Sequence, residues 1–178
     1  MIYRSAEIDS LEYCSRRELK NLGIKTLIDL RTPSEIGRQS PLQKGFNVVH
    51  IPLATGDMED ILQGIREEKI KCDTVYRMVE RMNRTLIDKY TKEYRQIFDI
   101  LLDKTNYPVV IHCSSGKGRT GIVSALVLAA LGVNEDIIME DYRLSNDYFN
   151  IPRASKYAYR LPTRSQEAIT TLFSARED

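Results

Sequence analysis

A cysteine and an arginine with five residues between them form the pair of side chains best suited to chemistry in this sequence. They are Cys113 and Arg119, and the residues between them read Ser-Ser-Gly-Lys-Gly. A cysteine thiolate is a nucleophile, and the planar fork of an arginine can bind two oxygens of one phosphate group. The pair therefore predicts a site where sulfur attacks a bound phosphoryl group and a cysteinyl-phosphate intermediate forms.

The sequence on either side of this loop predicts a strand before it and a helix after it. The run Val-Val-Ile at residues 109–111 follows Pro108 and is typical of a buried strand. The apolar segment that begins at Thr120 stops at Gly132, which is typical of a helix with glycine at its C-terminal end. The loop amides and the N-terminal end of that helix would both attract an anion. The predicted substrate-binding residues are Ser114, Ser115, Gly116, Lys117, Gly118 and Thr120.

Two further expectations concern side chains of this loop. The Thr120 hydroxyl could donate to the cysteine sulfur and help it to leave as an anion. Lys117 is either a solvated lysine on a tight turn or a positive contact for an anionic substrate.

Two other interpretations of the loop were weighed. Gly116-x-Gly118-x-x-Gly121 matches a dinucleotide-binding fingerprint, but that motif needs a second strand ending in an acidic residue. Here Gly132 is followed by Asn-Glu-Asp and another helix-like segment. The second alternative is a buried structural cysteine beside a surface arginine. Because the strand, the glycines and the apolar helix accompany the pair, we favour a catalytic or phosphate-binding loop.

The rest of the chain predicts an α/β fold. Helices are expected at residues 10–22, 135–148 and 165–175 and within 57–103, and strands at 24–30 and 46–53. This alternation predicts one domain over residues 1–178, with a central, mostly parallel sheet and helices on both faces. The segment 57–88 is longer than a crossover requires and could form a helical lid within that domain.

Composition excludes several classes of function. The chain has 178 residues and a formal net charge of +1, so it has no basic field for nucleic acid or membrane surfaces. Three cysteines without paired spacing argue against a disulfide framework, and two histidines argue against a metal site. Residues 1–20 contain no signal peptide, and the helix at 121–131 is too short to span a bilayer. We expect a cytoplasmic protein, or one secreted by a route not visible in this sequence.

The segment His-Cys-x5-Arg-Thr-Gly at residues 112–121 resembles the signature loop of the cysteine-dependent protein tyrosine phosphatase superfamily. Residues 3–7, 22–31 and 142–146 are similar to the bacterial atypical tyrosine phosphatases, some of which also act on phosphoinositides. The resemblance implies a cofactor-independent phosphomonoester hydrolase of the tyrosine or dual-specificity class, with a phosphorylated protein or a phosphoinositide as substrate. The chain departs from these relatives at Gly118, where they usually carry aspartate, and they usually extend further at both ends, so a shortened member is expected.

An enzyme of this type needs an acid that protonates the leaving oxygen. Gly118 removes the loop position that some bacterial relatives use, so the resemblance points to an aspartate after the strand that precedes the long crossover. Asp57 is the best match and Asp60 the second. Asp57 could instead cap the helix that begins at Met58. A rival of another class is a phosphate-binding pseudophosphatase that retains the loop but lacks a working acid.

Asp29 and Arg31 end the first predicted strand near this site. They either brace the loop or pair with each other. His112 is expected to orient the loop through a hydrogen bond, and His50 is expected to be a hydrogen-bonded strand histidine.

Overall fold

The computed structural model describes residues 1–8, 13–36, 45–56, 58–148 and 160–175. Its strands are β1 (Ile2–Ser5), β2 (Thr26–Asp29), β3 (Asn47–His50) and β4 (Val109–His112). Its helices are α1 (Tyr13–Asn21), α2 (Pro33–Ile36), α3 (Met58–Arg66), α4 (Cys72–Lys89), α5 (Thr91–Leu102), α6 (Gly118–Ala130), α7 (Glu135–Arg143), α8 (Ser145–Tyr148) and α9 (Thr163–Phe173), with a 3₁₀ turn at Lys104–Asn106.

The four strands form one parallel sheet in the order β1-β4-β2-β3. Every residue of the central strands β2 and β4 is buried, which explains why their sequences are nearly continuous apolar runs. Ser5 and Asp29 both lie in register with His112, the last residue of β4. The carboxyl ends of the strands therefore share one edge, which is where open parallel sheets bind ligands. The predicted α/β class with a parallel sheet is confirmed.

The strands are shorter than the sequence predicts, and one was missed. β3 ends at His50 rather than at residue 53 because Pro52 has no N–H for the ladder. The Ile51 and Leu53 amides still donate to the carbonyls of Asp29 and Leu30, at 2.9 and 3.0 Å. β1 was not predicted, since its sequence Ile-Tyr-Arg-Ser contains no apolar run.

The chain divides into two compact units. The first comprises residues 1–54 and 90–134 and contains the sheet with α1, α2, α5 and α6. One apolar cluster of this unit lies between strands and helix α1. Its members are Ile8, Ile24, Leu27 and Val110, packed against Tyr3, Leu19, Phe46 and Val48.

The second unit comprises residues 55–89 and 135–178, and the secondary structure of its described residues consists of helices joined by turns. Helix α9 packs against α3 and α4 around an apolar core of its own. That core consists of Ile61, Leu62, Ile65, Val75, Ala168, Ile169 and Leu172. The helices predicted within 57–88 are confirmed as α3 and α4, whereas the lid and the single domain over residues 1–178 remain predictions. No helix among the described residues is both long and apolar enough to cross a bilayer.

Candidate active site

The loop from Cys113 to Lys117 connects β4 to α6 at the carboxyl edge of the sheet. Cys113 is 1% exposed, and its sulfur accepts a hydrogen bond of 3.2 Å from the Gly116 N–H. The sulfur therefore lies within the turn of the loop, next to the first residues of α6. This is the position that attack on an anion held at the helix N-terminus requires.

Strand β1 and the residues directly after it bind two carbonyls of this loop. The Glu7 N–H donates to the Ser114 carbonyl at 3.1 Å, and Arg4 Nη2 donates to the Gly116 carbonyl at 2.9 Å. In a trans peptide the N–H points opposite to the C=O. The N–H groups of Ser115 and Lys117 therefore point away from β1, which is the direction in which a phosphate cradle would need them.

Gly116 makes the close approach of the loop to β1 sterically allowed. Its φ is +71°, in the left-handed region that favours glycine. A Cβ at this position would lie 2.7 Å from the Ala6 nitrogen and 2.7 Å from the Ser5 carbonyl carbon. Both are backbone atoms, so no side chain can move aside to admit a larger residue.

Arg119 lies in the first turn of α6 and is 7% exposed. Its Nη1 and Nη2 donate to Glu35 Oε2 and Oε1, at 2.7 and 2.6 Å. Nη1 also donates to the carbonyls of Leu30 and Leu53, each at 3.3 Å. Burial alone would lower the pKa of Arg119, but the hydrogen bond to Glu35 and the nearby negative charges, Glu35 and Asp29 among them, together outweigh burial and raise the pKa above its ordinary value. The guanidinium therefore carries a permanent positive charge beside the cysteine loop.

Glu35 belongs to the site, although it is not among the site residues that the sequence predicted. It is the third residue of α2, and its Oε2 accepts from the Thr32 N–H and hydroxyl at 2.8 and 3.0 Å, as in a capping box. Its Oε1 accepts from the Ser114 hydroxyl at 2.6 Å. The Thr-x-x-Glu pattern was the available signal, but it predicts a helix start and not a contact with an arginine 84 residues away.

The same contacts set the ionisation of Glu35. Burial raises its pKa, but the hydrogen bonds from Arg119, Ser114 and the Thr32 backbone outweigh burial and lower the pKa from 4.5 to about 2. Glu35 is thus a carboxylate at neutral pH. It holds no proton to donate and cannot serve as the general acid.

A buried ion pair lies at the carboxyl end of β2. Arg31 is 1% exposed, and its Nε and Nη2 donate to Asp29 Oδ1 and Oδ2 at 3.0 and 2.7 Å. Burial raises the pKa of Asp29, but the hydrogen bonds from Arg31 outweigh it and hold the pKa below its ordinary value. Asp29 and Arg31 pair with each other, one of the two alternatives that the sequence left open.

The two histidines occupy different environments. His112 is fully buried, and its Nε2 lies 3.9 Å from Asp29 Oδ2, so its imidazole lies next to the buried Asp29–Arg31 pair. His50 contacts the Arg31 carbonyl through Nε2, in agreement with the expected hydrogen-bonded strand histidine.

The structure places the predicted loop residues as follows. Lys117 is 7% exposed, so it is not the solvated lysine of the first alternative. The Ser114 hydroxyl is bonded to Glu35, which leaves its backbone as the group available to an anion. The Thr120 hydroxyl is buried and forms no hydrogen bond with any described residue, so the expected contact with the cysteine sulfur is not made. Gly118 begins α6, with no atom within 4 Å of a Cβ built on it.

Both aspartates proposed as the acid stay predictions. Asp57 lies outside the described residues, and Asp60 has an exposed side chain on α3, in the other compact unit. Among the described residues, no three His, Cys, Asp or Glu side chains cluster in a way that could hold a metal ion.

Comparison with known proteins identifies relatives. PtpB of Mycobacterium tuberculosis, a triple specificity protein phosphatase, is 29% identical over 173 residues, covering 82% of this chain and 61% of its own length. A tyrosine-protein phosphatase of Nostoc commune is 28% identical over 152 residues, covering 82% of this chain and 48% of its own length. The chain thus spans about half to three-fifths of the length of these curated relatives.

A crystal structure of P. aeruginosa TpbA aligns with 96% of this chain and 86% of its own, at 15% identity and a TM-score of 0.45. The sequence model of the tyrosine phosphatase family matches residues 1–178, which is the whole chain. On this match, the chain belongs to the tyrosine phosphatase family.

Proposed function

We propose that the chain is a cofactor-independent phosphoric monoester hydrolase that acts as a protein tyrosine or dual-specificity phosphatase. The observation that carries the proposal is the structure of one loop: the Cys113 sulfur lies within its turn, the buried Arg119 follows in the first turn of α6, and the Ser114 and Gly116 carbonyls are held towards β1, so that the next N–H groups face the other way. A nucleophile beside anion-binding groups is the arrangement that phosphoryl transfer to sulfur requires. Membership in the tyrosine phosphatase family supports the same reaction.

The reaction would run in two displacements. The loop amides and Arg119 hold the phosphoryl oxygens while the Cys113 thiolate attacks phosphorus, forming an S–P bond as the P–O bond to the leaving group breaks. An acid gives its proton to the departing oxygen. Water then attacks phosphorus, the S–P bond breaks, and the products are inorganic phosphate and the regenerated thiolate.

The acid in this proposal is Asp57, with Asp60 as the second candidate. The sequence supports Asp57, because it follows the end of the β3 segment and Gly118 stands where some relatives carry an aspartate. Glu35 has the right functional group but a pKa of about 2, which excludes it at neutral pH.

The proposed substrate is a phosphorylated protein. The names of the two curated relatives described above, which align with most of this chain, are those of protein phosphatases, so they favour a phosphoprotein over a phosphoinositide. The buried Lys117 supplies a positive charge within the loop that suits any phosphate dianion and does not by itself select a lipid.

The test is turnover of an aryl phosphate and a phosphotyrosyl peptide by the purified chain and by Cys113→Ser. We expect the wild type to release phosphate from both. The variant should lose turnover yet bind inorganic phosphate within roughly tenfold of the wild type, because Arg119 and the amides remain. Turnover by Cys113→Ser at the wild-type rate would contradict the covalent route. Phosphate binding by a wild-type chain that turns over neither substrate would instead support the pseudophosphatase alternative.

A further inference from the structure

We infer that Arg4 is a positioning residue of the proposed phosphatase: its guanidinium binds the Gly116 carbonyl and thereby directs the Lys117 N–H towards the phosphoryl group. The inference rests on the proposed function, because this direction matters for the reaction only if a phosphoryl group binds in the loop. It concerns an arginine that lies 112 positions before the glycine that it contacts. Arg4 acts through the backbone of the loop and does not itself touch the substrate.

The sheet sets the position of Arg4. Arg4 is the third residue of β1 and lies in register with Ile111 of β4, two residues before Cys113. Its side chain is partly buried, and Nη2 donates to the Gly116 carbonyl at 2.9 Å. Hydrogen bonds from a charged donor are roughly twice as strong as neutral ones. Because the paired strands fix the Arg4 backbone, its guanidinium can hold the loop at a constant place relative to Cys113.

Gly116 is the place in the loop where such a contact has a clear effect. Because Gly116 has no Cβ and a φ of +71°, local sterics restrict the peptide that follows it less than they restrict a peptide after a residue with a side chain. The hydrogen bond from the Gly116 N–H to the Cys113 sulfur orients the preceding peptide. The Arg4 bond orients the following one, so the Lys117 N–H points opposite to the bound carbonyl. Rotation of this peptide would turn a carbonyl oxygen, which repels phosphate, towards the cradle.

The charge of Arg4 adds to this orientation. A cation at the carbonyl end of a peptide polarises it, so the N–H at the opposite end becomes a stronger donor. Donors that are fixed in advance where charge develops stabilise the transition state. The Ser114 carbonyl, in contrast, accepts from the neutral Glu7 N–H at 3.1 Å. Of these two similarly oriented peptides, the one after Gly116 is held by a side chain, and the other serves as an internal control.

The first experiment compares Arg4→Met with the wild type and with Arg95→Met. Methionine keeps an unbranched apolar stem but has neither the N–H donors nor the charge of arginine. Arg95 is the matched control, because it lies exposed on α5 in the same compact unit and its replacement changes the net charge equally. The readouts are kcat/KM on an aryl phosphate at low and at high salt, and the midpoint of thermal unfolding to establish that each variant is folded.

We expect Arg4→Met to lower kcat/KM by about 5- to 50-fold, less than the roughly 10²–10³-fold that follows loss of a whole oxyanion donor. The deficit should persist at high salt, because salt screens a distant charge far more than a partly buried contact. Arg4→Lys, which keeps a charged donor, should recover part of the rate, and Arg4→Gln carries the test if the methionine variant does not fold. Arg95→Met should match the wild type. Wild-type kcat/KM in Arg4→Met, or a deficit that vanishes at high salt, would overturn the inference.

A second readout needs no turnover. Inorganic phosphate should shift the backbone amide signals of Ser115 and Lys117 in ¹⁵N-labelled wild type. In Arg4→Met the shift at Ser115 should be retained, because Glu7 still holds that peptide, and the shift at Lys117 should be smaller. An equal response of Lys117 in both proteins, or equal losses at Ser115 and Lys117, would overturn the positioning role. A wild type without Cys113-dependent turnover would contradict the proposed function, and these signals would still decide the role of Arg4.

Discussion

At the scale of single residues, the site depends on the negative charge of Glu35, a residue that was not predicted to belong to the site. Arg119 is buried, and a buried guanidinium is costly unless it is paired. Glu35 supplies the pairing charge, and two strand-end carbonyls complete it. The same interaction lowers the pKa of Glu35. Because this pKa differs between the folded and the unfolded chain, the free energy of unfolding depends on pH.

The pH dependence of stability tests the Glu35 contacts independently of activity. The folded pKa of about 2 lies below the ordinary 4.5, so the carboxylate stabilises the fold fully above about pH 4.5 and loses that contribution as pH falls towards 2. We therefore expect Glu35→Gln to be less stable than the wild type at pH 7, with a difference that shrinks between pH 4.5 and 2. Urea unfolding at a series of pH values measures it. A difference that stays constant over that range would mean that Glu35 is not preferentially ionised in the folded protein.

At the scale of elements, the loop works because β1 packs against its outer side. Residues 4–7, at the end of β1 and directly after it, supply two of the hydrogen bonds that fix the loop carbonyls and leave no room for a Cβ at Gly116. The strand β4, the loop and the helix α6 were predictable, because their signals are contiguous in sequence. The contacts that β1 and α2 make with the loop were not predictable, because only the fold brings these segments to it.

Alanine at two glycines of the same loop should have opposite effects on stability. Gly116→Ala forces a Cβ to 2.7 Å from backbone atoms at a φ of +71°, and left-handed strain alone costs about 1–3 kcal/mol. Gly118→Ala meets nothing within 4 Å at the start of α6, where alanine favours the helix by roughly 0.5–1 kcal/mol. Chemical denaturation of both variants measures the difference. If both variants were equally stable, the close approach of the loop to β1 would be wrong.

At the scale of the whole molecule, the sequence predicted the α/β class, the parallel sheet and the two helices within residues 57–88. Those features follow from the alternation of apolar runs, which is local information. The Glu35–Arg119 contact joins positions 84 residues apart, and no local pattern encodes such a pairing. The role of the second compact unit and the identity of the acid stay predictions, because no local pattern encodes them either.

The acid is tested by the dependence of rate on the leaving group. If Asp57 protonates the leaving oxygen, Asp57→Asn should lose about 10²–10⁴-fold on poor alkoxide leaving groups and far less on nitrophenolate, which needs little protonation. The alkaline limb of the pH–rate profile should also flatten. Asp60→Asn, measured on the same esters, is the matched comparison. A uniform loss with an unchanged profile would make Asp57 a helix cap and direct attention to Asp60.

The central claim is that Cys113 takes the phosphoryl group from the substrate, and trapping that group tests it most directly. Acid quenching during turnover of a phosphotyrosyl peptide, followed by proteolysis and mass spectrometry, would locate it. The account predicts a phosphoryl group on the Cys113 sulfur in the wild type and none on the corresponding peptide of Cys113→Ser. Phosphate released at the wild-type rate by Cys113→Ser, or a phosphoryl group trapped on a different residue, would contradict it.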